Sequence, residues 1–138
     1  MLRLNVNNET SRLKAVVLGI GNSLGSVPTA NECYDPKSRF HILNGTYPME
    51  IDIIPQLDSL NKVFLKYNIK VFRPSILKNY NQIFSRDIGF VIGNKFFISN
   101  TIKERSNEIE GLNSLFKKID HEDLVYLPKN CRVEGGDI

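Results

Sequence analysis

The 138-residue sequence contains no tryptophan, only two cysteines and two alanines, and no long apolar run. The scarcity of alanine, beside many Ile, Phe and Asn residues, argues against a helical bundle and favours a mixture of strands and helices. No stretch approaches the ~20 apolar residues of a membrane-spanning helix. The net charge is small, since 18 Lys and Arg residues against 15 Asp and Glu residues give +3, and no stretch of the sequence concentrates the positive charge. We therefore expect neither a nucleic-acid partner nor a membrane partner.

Few cysteines and no secretion signal predict a cytoplasmic protein. Residues 1–8 turn polar after a few positions and lack the apolar run of a signal peptide. Cys33 and Cys131 are then expected to be free thiols, and their irregular spacing from the two histidines does not match a zinc site. Cys33 is not expected to be a nucleophile, since the nearness of His41 in sequence does not place a base beside its thiol. We expect neither a metal nor another cofactor.

The sequence does contain an alternation of apolar runs and amphipathic segments. Apolar runs predict strands at 13–19, 69–74, 88–92, 95–98 and 124–128. Residues 132–134 are predicted to start another strand. Gly93-Asn94 between two of these runs predicts a hairpin. Apolar residues at alternating spacings of three and four predict helices over 50–67 and 103–119, with Glu108 on the solvent face of the second. Residues 20–48 are predicted to form a long loop.

A glycine-rich stretch, Gly19–Gly25, follows the first predicted strand. Its spacing, G-x-G-x-x-x-G, could let backbone N–H groups approach a pyrophosphate if a helix began at once. Ser26, Val27 and Pro28 follow instead, without an apolar helical pattern. We therefore interpret the stretch as a structural loop rather than a nucleotide-binding site.

Two short motifs place acidic residues beside arginine or glycine. Arg86 and Asp87 precede the hairpin, and neighbouring side chains on a strand point to opposite faces. A carboxylate facing inward could bind a planar guanidinium through two hydrogen bonds, and a surface ion pair is the alternative. Glu134 and Asp137 flank two glycines, which within a strand mark a bulge or a close approach by backbone or ligand. A Gly-Gly turn with solvated acids is the alternative.

Together these motifs resemble the guanidino-modifying (pentein) superfamily. The resemblance rests on Phe84–Asn94, F-S-R-D-I-G-F-V-I-G-N, and on Val133–Ile138, V-E-G-G-D-I. The first motif is most similar to glycine/inosamine-type amidinotransferases, and arginine deiminases share R-D and E-G-G-D more loosely. The opening at residues 13–19 and the segment 72–74 also resemble these enzymes.

The resemblance implies a five-bladed α/β propeller of ββαβ units, of which residues 1–138 would form a single, incomplete domain covering about the N-terminal half. It also implies a cysteine thiolate that attacks the guanidinium carbon of arginine or a related compound, a covalent amidino-cysteine intermediate and a histidine acid and base. Asp87 matches the carboxylate that binds the substrate guanidinium. Glu134 matches the acidic partner of the catalytic histidine, and Arg86 and Asp137 are expected to support the site.

The sequence departs from the family in one respect. The family's catalytic histidine and cysteine lie well beyond the E-G-G-D motif, whereas this sequence ends at Ile138, and neither Cys33 nor Cys131 falls at the matching place. We therefore expect the N-terminal portion of an amidinotransferase-like enzyme, inactive alone and prone to self-association through an open sheet edge. An arginine-deiminase-like hydrolase and a small non-catalytic α/β binding module are the alternatives.

Overall fold

The computed structural model describes residues 1–33 and 35–138. Its helices and strands are, in chain order, β1 (Ala15–Val17), α1 (Pro36–Leu43), α2 (Glu50–Lys66), β2 (Lys70–Phe72), β3 (Gly89–Ile92), β4 (Lys95–Ile98), α3 (Asn113–Phe116) and β5 (Leu124–Tyr126). Three 3₁₀ segments of the described chain lie between them, at Ser85–Ile88, Lys103–Leu112 and His121–Asp123. Within the described residues, no helix combines the length and the apolar character needed to cross a membrane.

β1 and β2 form a parallel sheet in which Ala15 pairs with Lys70 and Val17 with Phe72. The chain between them includes α2, which packs against β2. Asn68 follows α2 in the left-handed conformation, with a φ of 57°, which asparagine tolerates better than most residues. The prediction of this helix and of the strand after it is confirmed.

β3, β4 and β5 form a second sheet in that order. β3 and β4 are an antiparallel hairpin that turns at Gly93, whose φ is 59°, and β5 lies parallel to β4. The core packs against this sheet and consists of Ile88, Phe96, Ile98, Leu112, Leu115 and Ile119. The predicted hairpin is confirmed, and the elements follow the order β-β-α-β. A propeller of such units, and a single domain over residues 1–138, remain predictions.

The predicted long loop 20–48 is wrong in part, because it contains α1. Asp35 caps this helix by accepting the backbone N–H of Ser38 at 2.7 Å. No residue of α1 is buried, so the helix leaves no apolar periodicity in the sequence. The predicted helix 103–119 is also wrong in part, because Lys103–Leu112 is a 3₁₀ helix and only Asn113–Phe116 is α-helical.

The two acidic motifs do not lie on strands as predicted. Arg86 and Asp87 belong to the 3₁₀ segment Ser85–Ile88 that precedes β3, and residues 132–134 have no strand partner among the described residues. The chain instead turns at Gly135-Gly136. On an extended strand, residues at odd spacing such as Glu134 and Asp137 would point to opposite faces, and this turn removes that constraint.

Candidate functional site

The carboxylates of Asp87, Glu108 and Glu134 surround the guanidinium group of Arg105. Asp87 Oδ2 accepts a hydrogen bond from Arg105 Nη1 at 2.7 Å. Glu108 accepts two, from Nε and Nη2, each at 2.8 Å. Glu134 Oε1 lies 4.0 Å from Nη1, and the backbone carbonyl of Phe84 accepts from Nη2 at 3.3 Å. Residues from distant parts of the chain thus meet at one cation.

This acid cluster, Asp87, Glu108 and Glu134 around Arg105, becomes more exposed from Glu108 outward. The Glu108 side chain is 4% exposed, that of Asp87 21% and that of Glu134 37%. Hydrogen bonds to Glu108, and then to Asp87, raise the pKa of Arg105 above its ordinary value against the opposing effect of burial. Arg105 is therefore a permanent cation, and the surrounding carboxylates leave an excess of negative charge on the outer side.

A short turn holds Glu134 in place. Asp137 Oδ2 accepts the backbone N–H of Glu134 at 3.1 Å, and the Asp137 N–H donates to the Glu134 carbonyl at 2.9 Å. Asp137 therefore stabilises the backbone on which Glu134 is mounted. Its predicted supporting role has this contact as its structural basis and stays a prediction.

Gly135 brings the turn against the 3₁₀ segment that contains Asp87. A Cβ atom at this position would overlap the carbonyl oxygen of Arg86 and lie 3.2 Å from that of Gly89. Arg86, an exposed residue, adds a hydrogen bond from its Nε to the Gly135 carbonyl at 3.2 Å. Both interpretations of the glycine pair apply, since it forms a turn and also permits a close backbone approach.

Asp87 has one carboxylate oxygen available. None of the described residues donates a hydrogen bond to Oδ1, whereas Oδ2 accepts from Arg105. A Cβ atom at Gly136 would lie 3.6 Å from Oδ1, so the missing side chain keeps the space beside this oxygen open. Asp87 can thus accept a further charge-assisted hydrogen bond from a cation.

Sequence reasoning missed Asn100, Arg105 and Glu108. The Nδ2 atom of Asn100 lies within 3.0 Å of the carbonyl oxygens of Leu127, Pro128 and Cys131, and so fixes the segment that leads to Glu134. Glu108 was predicted on a solvent face and is in fact buried, a difference caused by its pairing with Arg105. Opposite charges three residues apart were the available signal for this pair.

The remaining sequence candidates are not members of the acid cluster. Cys33 and Cys131 are free thiols, and within the described residues neither sulfur is hydrogen-bonded to the cluster. The described part of the chain holds no group of His, Cys, Asp and Glu suited to a metal ion. In the Gly19–Gly25 stretch, the Leu24 N–H donates to the Glu50 carboxylate at 2.7 Å, and a Cβ at Gly19 would overlap a backbone carbonyl. These contacts support the interpretation as a structural loop.

The fold is similar to two solved amidinotransferases. SxtG, an amidinotransferase of the saxitoxin biosynthetic pathway from Microseira wollei, matches with a TM-score of 0.64 and 18% identity over 91% of this chain and 42% of that chain. The inosamine-phosphate amidinotransferase StrB1 from Streptomyces griseus matches with a TM-score of 0.62 and 16% identity over 96% and 44%. This chain therefore spans less than half the length of each of these two structures. No family model and no curated protein matches the sequence.

Proposed function

Because the fold is similar to that of amidinotransferases, we propose that this chain forms the guanidinium-binding part of an enzyme that acts on arginine or a related guanidino compound. The observation that supports the proposal most directly is the contact between Asp87 and Arg105. Asp87 already accepts a guanidinium N–H through Oδ2 at 2.7 Å, while Oδ1 faces the open space beside Gly136. A substrate guanidinium would bind to Oδ1, and the excess negative charge of the cluster would favour it over neutral compounds.

In the proposed reaction, a cysteine thiolate adds to the guanidinium carbon, and a histidine protonates the departing amine. The resulting amidino-cysteine then passes its amidino group to an acceptor amine, whose proton returns to the histidine. Both side chains would come from outside these 138 residues. Asp87 holds the cationic guanidinium, and Glu134 orients the histidine and stabilises its protonated form. Arg86 and Asp137 keep Glu134 in position through their contacts with its turn.

Transfer to an amine is favoured over hydrolysis because both solved structures named above are amidinotransferases. Water in place of the acceptor amine would give the arginine-deiminase-like reaction. The two reactions share the binding of guanidinium at Asp87, so a binding measurement tests the common step first. The identity of the product from a longer protein then separates them.

The 138-residue chain is expected to bind arginine without consuming it. Citrulline has the same length but a neutral ureido group, so its affinity should be lower by about tenfold or more, the effect of one lost charge-assisted contact. Calorimetric titration with the two amino acids measures the difference, and mass spectrometry of arginine incubated with an acceptor amine checks for products. Equal affinity for citrulline would contradict a guanidinium site. Turnover that survives replacement of both cysteines would contradict the cysteine mechanism.

We also propose that the chain self-associates. Among the described residues of α2 none is buried, and Ile51, Leu65 and Tyr67 are 79%, 54% and 62% exposed. Among the residues that the structure describes, β5 pairs only with β4, which leaves an open edge on the second sheet. Exposed apolar side chains and unpaired edges both promote association.

Light scattering after size-exclusion chromatography, repeated over a dilution series, tests this expectation. Replacing Ile51 and Leu65 with lysine should shift the population towards the monomer. Lysine at the exposed polar positions Gln56 and Ser59 adds the same charge to α2 and serves as the matched control. A parent chain that stays monomeric at every concentration and melts cooperatively would be evidence for a self-sufficient binding module.

A further inference from the structure

Arg105 is held in place by Glu108, its neighbour three residues along the 3₁₀ helix. Side chains at positions i and i+3 lie over one another in a 3₁₀ helix, because the helix has three residues per turn. Glu108 therefore reaches the fork formed by Nε and Nη2 with both of its oxygens, each at 2.8 Å. The paired side chains are 11% and 4% exposed, so solvent has little access to them. This pairing fixes the plane of the guanidinium group.

The fixed guanidinium then determines the orientation of Asp87. Nη1 is the nitrogen that Glu108 does not use, and it donates to Asp87 Oδ2 at 2.7 Å. A further contact from Nη2 to the Phe84 carbonyl, at 3.3 Å, connects Arg105 to the backbone just before Asp87. A carboxylate held through one oxygen by a fixed donor has its second oxygen directed at a defined point.

We propose that Glu108 and Arg105 act as positioning residues, which hold Asp87 so that only Oδ1 is presented to a guanidino ligand. The inference rests on the proposed function for the identity of that ligand. Arg105 itself does not touch the ligand, and its task is to fix the position of Oδ1, which then suits the rigidly placed donors of a guanidinium better than the rotating donors of an ammonium ion.

The competing interpretation is that Arg105 occupies the ligand's own place and must leave before a ligand binds. Burial of Glu108 argues against it. Withdrawal of Arg105 would leave the Glu108 carboxylate, 4% exposed, as an unpaired charge inside the protein, which is strongly unfavourable. The two interpretations predict opposite effects of removing Arg105, because loss of a positioning residue weakens binding and loss of an internal competitor strengthens it.

The variants that test the proposal are Arg105→Lys and the double substitution Arg105→Gln with Glu108→Gln. Lysine keeps the charge but cannot bridge Glu108 and Asp87 through a fork. The double variant removes both charges together and so avoids a buried unpaired carboxylate if the single change impairs folding. Arg73→Lys is the matched control, since Arg73 also pairs with an aspartate, Asp58, at 3.6 Å on the surface.

Titration of each variant with arginine and with lysine measures both affinity and selectivity. Both Arg105 variants should bind arginine about tenfold more weakly or worse, and their preference for arginine over lysine should fall, while Arg73→Lys retains both values. A purely structural role would weaken both ligands in proportion and leave the preference unchanged, which would contradict the proposal. Tighter binding of arginine by either variant would identify Arg105 as an internal competitor and also overturn it.

Nuclear magnetic resonance of the Arg105 side chain separates this inference from the proposed function, because it needs no ligand. A fixed guanidinium should show a slowly exchanging Nε–H and distinct Nη signals in the parent chain, and Asp87→Asn should shift the Nη1 signal. Averaged, rapidly exchanging signals would refute the positioning role even if arginine binds. Fixed signals in a chain that fails to bind arginine would support the positioning of Asp87 and refute the proposed ligand.

Discussion

Replacement of Asp87 by asparagine is expected to weaken arginine binding by about a hundredfold, equivalent to about 3 kcal/mol, as for other half-broken charge-assisted pairs. The amide oxygen of the asparagine can take the place of Oδ2 and keep the hydrogen bond from Arg105. Its NH₂ group then replaces Oδ1 and directs a donor at the donors of the ligand. Calorimetric titration of parent and variant with arginine gives the ratio of dissociation constants.

Two further substitutions show whether the effect belongs to Asp87. Asp58 pairs with Arg73, and its side chain is 55% exposed. Asp58→Asn should therefore leave arginine binding unchanged. Glu134→Gln should leave affinity closer to the parent value, and in an enzyme containing this segment it should lower kcat, because a neutral amide stabilises a protonated histidine less well. If Asp87→Asn binds arginine as tightly as the parent, the guanidinium site lies elsewhere.

Gly135→Ala is expected to destabilise the chain by about 1–3 kcal/mol, the usual cost of forcing an extra carbon into a packed position. The new methyl group would overlap the Arg86 carbonyl and approach the Gly89 carbonyl to 3.2 Å. Both obstacles are backbone atoms, so no side chain can rotate to make room. The turn must move away, and Glu134 moves away from Asp87 with it. Urea denaturation measures the loss of stability, and titration with arginine measures the accompanying loss of affinity.

Gly136→Ala is the matched control, with the same added atom one residue further on. Its Cβ would lie 3.6 Å from Asp87 Oδ1, an ordinary contact, and neither glycine has a positive φ that a side chain would strain. This variant should unfold at the same urea concentration as the parent but bind arginine more weakly, because the methyl group occupies the space beside the free oxygen. A Gly135 variant as stable as the Gly136 variant would show that the close approach to Arg86 is not needed.

Elements with a regular apolar pattern were predictable from the sequence. α2 partly covers one face against β2, the hairpin of β3 and β4 buries one face, and the spacing of their apolar residues indicates both. α1 was missed because none of its residues is buried, so its few apolar side chains follow no helical spacing, and because it depends on its Asp35 cap. The 3₁₀ helix Lys103–Leu112 was assigned the wrong geometry, since apolar residues at spacings of three and four do not separate it from an α-helix.

Local motifs in the sequence predict two members of the candidate site. R-D and E-G-G-D direct attention to Asp87 and Glu134, and the structure brings both to Arg105. Nothing in the sequence near Arg105 shows that this pair is buried, because burial results from contact with a segment 18 residues earlier. An arginine and a glutamate three residues apart more often lie in solvent, where they contribute little.

The hydrogen bonds of Asn100 also bear on how long a ligand stays bound at the candidate site. One side-chain amide fixes the carbonyls of Leu127, Pro128 and Cys131, and beyond them the contacts of Gly135 with Arg86 fix the chain again. Because these contacts lie near the two ends of the segment, we expect it to open as one cooperative unit rather than residue by residue. Each opening would remove Glu134 from the cluster and admit water to Arg105. The rate at which the segment 127–137 opens and closes would then limit how long a bound cation stays.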